Sequence, residues 1–328
     1  MENKKNIVIF GCKNTTRYLI NSLAGKIEIS HIITISKEKN KKVIVPDYTD
    51  LTDLSIKYSI PIYYCNKYSL KNNNDLNYIK KLNIDISFVI GWQRLIPPDL
   101  LNSVQIGYFG MHGSSSNLPK GRGRSPMNWS IIEGRKFFYT NLFKYNLGVD
   151  DGDIVDTVKF GITSKDNAET MHYKNMISMK FLILKNLSDF LNNTLNYIPQ
   201  KNLKPTYYPK RNPEDSLIDW NLEINILDQF IRAVTKPFNG AFTFIKNEKL
   251  TIYNAQIFDI FEFDYSKFKN GSILDVFESN KFLIKCNGGI FLVNDYTCSK
   301  KITKGDICGN NEYKIKKFKT NNEGFYDI

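Results

Sequence analysis

His112 and a group of acidic residues farther along the chain are the side chains best suited to chemistry in this sequence. His112 is one of only three histidines, and its neighbours are Gly, Ser, Pro and Arg, which indicate a polar loop rather than an apolar core. Asp150, Asp151 and Asp153 surround Gly152 in a second polar segment. A histidine with a carboxylate that can orient it is the smallest set of groups that moves protons near neutral pH. We therefore predict an acid–base site at these two segments.

The elements that position this pair are short apolar runs that alternate with helical patterns through the first half of the chain. Such alternation predicts a doubly wound, Rossmann-like and mostly parallel sheet in an α/β domain. Ligands of these sheets lie beyond the C-terminal ends of the strands. Residues 91–97 and 110–113 are expected there. The strands themselves are predicted at residues 6–10, 27–36, 61–65 and 86–90, a charged, lysine-rich connection at residues 37–50, and two later helices at residues 168–191 and 224–234.

The last third of the chain has a different pattern. Residues 192–204 are rich in Asn, Pro and Lys and follow no period, which indicates a linker. Short strand-like runs separated by turns come after it, and these predict a small β-barrel with OB-like topology. We expect a catalytic α/β domain at residues 1–195 and a C-terminal β domain at residues 196–328.

Composition narrows the classes of protein. Hydrophobic residues make up 42% and charged residues 24% of the chain, as in ordinary globular proteins. No run of about 18 apolar residues occurs, so we expect no membrane-spanning helix and no membrane partner. The N-terminus lacks a signal-peptide pattern, which favours a cytoplasmic location. The net charge of +12 suits either an anionic partner or a solvated lysine-rich surface.

Two common cofactor classes are not expected. Gly11 ends the first predicted strand, but the segment GCKNTTR lacks the G-x-G-x-x-G pattern of dinucleotide-binding sites. The five cysteines show no zinc-ligand spacing, so no metal is expected.

The order of the motifs resembles that of the folate-dependent formyltransferases, which include methionyl-tRNA and sugar-nucleotide enzymes. The N-terminal part of the likeness consists of H-G-S at 112–114, L-P at 118–119, R-G at 122–123, Pro126 and D-D-G-D at 150–153. RNPEDSLIDW at 211–220 and RAVTKPFNGAFTF at 232–244 extend it into the C-terminal domain. The first of these two segments is more similar to enzymes that formylate 4-amino sugars on nucleotides.

This resemblance implies transfer of a formyl group from N10-formyltetrahydrofolate to the primary amine of an amino sugar, in the biosynthesis of a surface glycan. The sugar is expected to be nucleotide-linked, and the protein to be a homodimer. The positions match the family's catalytic histidine and aspartate, so His112 accepts a proton from the amine while Asp150 holds the imidazole. Two alternatives stay open: a methionyl-tRNA formyltransferase, with nucleic acid as its partner, and a catalytically inactive binding protein.

The sequence departs from the family at Gly110, where the relatives carry a catalytic asparagine. Glycine offers no side-chain donor to the oxyanion of the reaction. Asn117 or Ser114 takes over this role, or protonated His112 and a backbone N–H suffice, or catalysis is weak. These three explanations stay open at this point.

Other site residues are implied by the same resemblance. The folate is expected along residues 88–96 and near 149–151. Trp92 either caps this pocket or packs in the core, and Arg94 faces the glutamate tail. Cations for an anionic substrate, or for a soluble loop, are Lys120, Arg122 and Arg124. The predicted folate-binding residues are Phe88, Ile90, Trp92, Arg94, Leu95, Ile96, Val149 and Asp151.

Overall fold

The computed structural model describes residues 5–261, 265, 267–321 and 326. Its helices are α1 (Asn14–Leu23), α2 (Lys37–Val43), α3 (Thr52–Tyr58), α4 (Asn73–Lys81), α5 (Pro98–Leu101), α6 (Pro126–Ile132), α7 (Ala168–Lys185), α8 (Leu187–Asn192) and α9 (Ile224–Val234). A 3₁₀ turn spans Pro213–Ser216. The strands are β1 (Ile7–Phe10), β2 (Ile29–Thr34), β3 (Ile62–Tyr64), β4 (Ile86–Val89), β5 (Gly107–Ser114), β6 (Arg122–Gly123), β7 (Phe137–Lys144), β8 (Ile154–Gly161), β9 (Tyr207–Tyr208), β10 (Ala241–Ile245), β11 (Glu248–Asp259), β12 (Ile273–Val276), β13 (Phe282–Cys286), β14 (Gly289–Cys298) and β15 (Cys308–Gly309).

The chain divides into two compact units. The first runs through Arg122 and adds Tyr139–Phe160 and Tyr173–Pro205. The second consists of Gly123–Phe138, Gly161–His172 and the chain from Thr206. The boundary that the sequence suggests between residues 195 and 196 stays a prediction.

A seven-stranded sheet organises the first unit, in the order β3-β2-β1-β4-β5-β7-β8. The strands from β3 to β5 pair in parallel, whereas β7 pairs with β5 in the antiparallel direction. The central strands β1 and β4 are buried along their whole length, as expected for the wholly apolar sequence of β1 and for β4, in which Ser87 is the one polar residue. This arrangement confirms the predicted doubly wound, mostly parallel sheet.

Strand β5 is longer than its parallel neighbour, which changes one expectation. Its pairing with β4 ends at Gly110, but its pairing with β7 continues to Ser114. The prediction that residues 110–113 follow the strand was therefore wrong, and His112 lies in a strand rather than in a polar loop. Glycine and serine are tolerated here because β7 supplies the backbone partners of the extra residues.

Two other segments differ from the sequence-based expectation. The lysine-rich connection at residues 37–50 begins with helix α2, because the Ser36 hydroxyl accepts a hydrogen bond from the Lys39 amide and caps it. The single helix expected over residues 168–191 is divided into α7 and α8 at Asn186. Neither change affects the order of the strands.

A six-stranded antiparallel sheet, β12-β13-β14-β11-β10-β15, organises the second unit. Its two edges meet, because the Ile273 amide donates to the Asp306 carbonyl and the Cys308 amide to the Gly271 carbonyl, each with an N···O distance of 2.8 Å. The sheet is thus a partly closed barrel. This confirms the predicted α/β domain followed by a small β domain.

Two kinds of feature are absent from the described residues. None of the helices within these ranges is long and apolar enough to span a membrane. In the same part of the chain, no three His, Cys, Asp or Glu side chains are grouped as a metal site would need.

Candidate active site

The His112 side chain lies between two oxygen atoms, both in the first unit. Its Nε2 atom is 2.9 Å from the Gly121 carbonyl oxygen, and its Nδ1 atom is 3.3 Å from Oδ2 of Asp150. Only 8% of the residue is exposed. A carbonyl and a carboxylate only accept hydrogen bonds, so both contacts are hydrogen bonds when the ring carries two protons. The structure brings the predicted histidine and aspartate together.

Asp150 belongs to residues 148–153, which we call the acidic loop. Its backbone has a φ of 50°, in the left-handed region that aspartate tolerates better than most residues. Gly152 packs closely against the strand before the loop, where an added Cβ atom would overlap the Lys144 carbonyl oxygen. These features explain why the segment contains a glycine between aspartates.

Gln200, which lies about 50 residues after the acidic loop, binds it through side-chain hydrogen bonds. Its Nε2 atom donates to the carbonyl oxygens of Asp150, at 2.8 Å, and of Gly152, at 2.9 Å. Its Oε1 atom accepts a hydrogen bond of 2.6 Å from Nη2 of Arg122. One side chain therefore connects a predicted substrate-binding cation with the loop that carries the predicted catalytic aspartate. The sequence analysis did not identify this role, because Gln200 lies in the segment interpreted as a linker.

Asn141, on β7, stands directly opposite His112 in the register of the two strands. Its Nδ2 atom donates to the His112 carbonyl oxygen at 3.2 Å, and its Oδ1 atom accepts from the Thr157 hydroxyl at 2.9 Å. The residue is buried. Asn141 thus fixes the backbone beneath the histidine, and both ends of its amide are in use.

The two side chains suggested as oxyanion donors are differently placed. The Ser114 hydroxyl donates to the Lys120 carbonyl oxygen at 2.9 Å and accepts from the Ser116 amide at 3.2 Å. It thereby closes the loop that follows β5. Asn117, at the tip of this loop, is exposed.

Tyr145 occupies the space beside Gly110. A Cβ atom added to the glycine would collide with the Tyr145 ring, at 2.5 Å from Cζ, and with its hydroxyl oxygen. The Tyr145 amide donates to the Tyr108 carbonyl oxygen at 2.7 Å, which extends the pairing of β5 and β7. The sequence analysis did not identify this tyrosine, because the side chain opposite a glycine depends on strand register.

The predicted folate-binding residues fall into a buried and an exposed group. Phe88 packs against the rings of other core phenylalanines, and the Ile90 carbonyl oxygen accepts from the Thr16 hydroxyl. Leu95 is 56% and Val149 44% exposed, although both are large and apolar.

The segment after β4 carries the remaining predicted contacts. Trp92 is buried and packs edge-on against the rings of Phe10 and Tyr68. Arg94 lies over the Tyr68 ring, 4.8 Å from its centroid. Ile96 is buried in the same cluster. These three side chains pack the segment after β4 against the rest of the first unit.

The three predicted substrate cations are divided between the units. Lys120 and Arg122 belong to the first unit and are partly exposed. Arg124 belongs to the second, where its amide donates to the Tyr208 carbonyl oxygen at 2.9 Å. Gly123, with a φ of 96°, permits the close approach to this tyrosine, since a Cβ would lie 2.6 Å from the same carbonyl.

Comparison with known families gives two matches that together cover most of the chain. Residues 5–179 match the family described as "Formyl transferase". Residues 210–318 match "Formyl transferase, C-terminal domain". The first match contains every part of the candidate site except Gln200.

A curated relative is the bifunctional polymyxin resistance protein ArnA of Wigglesworthia glossinidia brevipalpis, 30% identical over 79% of this chain. The chain spans only 37% of the length of that relative. Among solved structures, WlaRD is a sugar 3N-formyl transferase determined in the presence of dTDP and 5-N-formyl-THF. It matches 92% of this chain and 100% of its own, with a TM-score of 0.62 and 19% identity.

HypX of Aquifex aeolicus in complex with tetrahydrofolic acid is similar to the same degree. The match covers 91% of this chain and 45% of HypX, with a TM-score of 0.63 and 15% identity. Because both structures match about equally well at low identity, the likeness shows the fold and does not select a substrate.

Proposed function

Because the chain belongs to the formyl transferase family, we propose that it transfers a formyl group from N10-formyltetrahydrofolate to the primary amine of a sugar. The acceptor is a nucleotide-linked amino sugar that is used for a surface glycan. The observation that carries the proposal is the contact between His112 and Asp150 at 3.3 Å, deep in the first unit. This is the proton-transfer pair that amine formylation needs.

The proton balance of the reaction defines the work of this pair. A primary amine that attacks a formyl carbon must lose a proton, and the departing N10 of the folate must gain one. His112 takes the first proton and returns it, while Asp150 fixes the orientation of the ring. Positioned acid–base catalysis of this kind contributes about 10²–10⁴-fold to the rate.

The contacts of His112 also indicate how the amine reaches the ring. Both ring nitrogens already face oxygen atoms, so an incoming amine must displace one of them. A ring that accepts a proton must be neutral, with its one N–H on Nδ1 toward Asp150, so the lone pair of Nε2 then faces the Gly121 carbonyl oxygen without a hydrogen bond. The amine therefore approaches Nε2 and replaces the Gly121 carbonyl oxygen as the neighbour of this atom.

The residues near the acidic loop and after β4 fit a folate co-substrate. Leu95 and Val149 expose apolar surface suited to an aromatic ring system. Nε1 of Trp92 and Oδ1 of Asp151 are buried and have no hydrogen-bond partner within the described ranges. A donor and an acceptor of this kind are what the polar edge of a pterin requires.

WlaRD, which shares the fold at 19% identity, is a sugar 3N-formyl transferase, and this makes an amino sugar the acceptor to test first. Lys120 and Arg122 offer cations to the phosphates of a nucleotide carrier. The similarity of residues 211–220 to enzymes of 4-amino sugars leads us to propose the 4-amino group as the acceptor. We further propose a homodimeric, cytoplasmic enzyme.

Mass spectrometry of the products tests this function. The purified protein and N10-formyltetrahydrofolate are incubated with nucleotide-linked 3-amino and 4-amino sugars, and in parallel with methionine-charged tRNA. We expect one formyl mass on a sugar, and loss of this product with His112→Ala. A formyl mass on the charged tRNA alone would replace the sugar with tRNA as the acceptor. Binding of the folate without any transfer would instead support an inactive binding protein.

A further inference from the structure

Tyr145 and Gly110 form a packed pair on the face of the sheet that carries His112. Residues two apart on a strand point to the same side, so Tyr108, Gly110 and His112 share this face of β5. The Tyr145 ring covers the place of the missing side chain at Gly110. It is held there by stacking on Phe143, with ring centroids 5.3 Å apart. A phenol thus lies at the position next to the histidine.

The distance between the phenol and the histidine suits a shared substrate. Gly110 and His112 are about 6.6 Å apart along the strand, at about 3.3 Å per residue. The Tyr145 hydroxyl lies at the first position and the His112 ring at the second. A formyl group between them can present its oxygen to the hydroxyl and its carbon to an amine beside the imidazole.

Among the described residues, none forms a hydrogen bond with the Tyr145 hydroxyl. The residue as a whole is partly exposed, and its hydroxyl lies in the space that a side chain at Gly110 would fill. Tyr108, on the same face of β5, is more deeply buried than Tyr145, since only 1% of it is exposed. Asn141 and Ser114, the other nearby donors, already hydrogen-bond protein atoms. Tyr145 therefore combines a position next to Gly110, on the strand face of His112, with a hydroxyl that is available as a donor.

We propose that Tyr145 is a catalytic residue whose hydroxyl donates a hydrogen bond to the oxyanion formed during formyl transfer. This inference rests on the proposed function and assigns the group that compensates for Gly110. A single preorganised donor to an oxyanion contributes about 10²–10³-fold to kcat.

The chemical step balances with Tyr145 unchanged at its end. The lone pair of the amine forms a C–N bond to the formyl carbon, and the π pair of the carbonyl moves to its oxygen. Tyr145 hydrogen-bonds this oxygen and keeps its own proton. The C=O bond then re-forms, the bond to N10 breaks, and N10 leaves with the electron pair and the proton that His112 removed from the amine. The products are tetrahydrofolate and a formamide.

The state of the phenol agrees with a donor role. Burial raises the pKa of Tyr145, and the charge of Asp150 raises it further. The hydroxyl therefore stays protonated at neutral pH and can donate. A tyrosine that acts as a base would need a lowered pKa. We therefore assign acceptance of the amine proton to His112.

The test compares Tyr145→Phe with the wild type and with Tyr108→Phe as the matched control. Both substitutions remove one hydroxyl and keep the ring, so the packing over Gly110 is retained. Transfer from N10-formyltetrahydrofolate is measured with two acceptors, hydroxylamine and a nucleotide-linked amino sugar. Hydroxylamine passes through the same oxyanion without requiring recognition of a sugar.

For Tyr145→Phe we expect kcat with hydroxylamine to fall about 100-fold while KM for the folate stays within about threefold. Tyr108→Phe is expected to match the wild type. Equal kcat values for Tyr145→Phe and wild type, with whichever acceptor is formylated, would overturn the proposal. Transfer to neither acceptor would overturn the proposed function and the proposal with it. Transfer to hydroxylamine but to no amino sugar would refute the sugar acceptor. The kcat values of Tyr145→Phe and wild type with hydroxylamine would then decide the role of Tyr145.

A second set of variants exchanges the two positions. Gly110→Asn alone is expected to be poorly active, because its side chain collides with Tyr145. Gly110→Asn combined with Tyr145→Gly provides an amide donor and the space for it. We expect this double variant to exceed Tyr145→Gly alone in kcat by about tenfold or more. No gain in the double variant would count against a donor role at this place.

Discussion

Replacing Gln200 with leucine is expected to impair catalysis without unfolding the protein. The substitution removes the two hydrogen bonds of Nε2 to the acidic loop and leaves the volume of the side chain nearly unchanged. At about 1 kcal/mol for each neutral hydrogen bond, the loop loses about 2 kcal/mol of restraint. Asp150 then relaxes from its left-handed backbone conformation, which costs about 1–3 kcal/mol to maintain. With tenfold in rate for about 1.4 kcal/mol, kcat should fall about 30-fold.

The assay is formyl transfer under saturating folate, with thermal unfolding measured on the same preparations. Gln200→Glu separates the two contacts of the side chain. It keeps acceptors for Arg122 but presents a carboxylate to two carbonyl oxygens, so it should be at least as impaired as the leucine variant. Lys201→Ala, at the exposed neighbouring position, serves as the control. Wild-type kcat in Gln200→Glu would refute the argument, because the link to Arg122 would then be the contact that matters.

Two further substitutions test the stability of the first unit and the packing of the acidic loop. Burial alone would raise the pKa of Asp75, but hydrogen bonds, beginning with the Asn66 amide, lower it overall. Its stabilising effect is therefore present above the unfolded pKa and lost as pH falls below about 4. In urea unfolding we expect Asp75→Ala to lose about 3 kcal/mol at neutral pH and the difference from wild type to shrink in acid. Gly152→Ala, whose Cβ would overlap the Lys144 carbonyl oxygen, should lower kcat about tenfold or more, whereas Gly309→Ala, with open space around it, should not; equal rates in a formyl-transfer assay would contradict this.

Much of the fold could be predicted because its local patterns and its tertiary structure agree. The run at residues 86–90 is apolar except for Ser87 and forms a central strand that is buried along its length. Residues 224–234 were expected to be helical and form α9 with the same limits. The helix at residues 37–43 could not be foreseen from periodicity. It buries none of its residues, and a single serine cap starts it.

In the candidate site, too, some features could be predicted from the sequence and others could not. The pairing of His112 with Asp150 could be predicted because their residue types and their motif carry the signal, and their catalytic role stays a prediction. Gln200 and Tyr145 could not, since each acts through a neighbour that is distant in sequence. Gln200 reaches a loop 50 residues earlier in the chain, and Tyr145 meets Gly110 through the antiparallel register of β5 and β7.

Gly110 and Tyr145 are best considered together, because the tyrosine ring fills the space beside the glycine. With the tyrosine in place, any side chain at Gly110 meets the ring, so the family's asparagine cannot be restored by one substitution. With glycine in place, removing the tyrosine leaves an empty space and no donor beside His112. Each single change is therefore unfavourable, while the exchange of both residues preserves a donor at the same point. Residues in direct contact are expected to be non-additive in this way. The absence of a catalytic residue from a motif is thus weak evidence for lost activity until the occupant of its space is known.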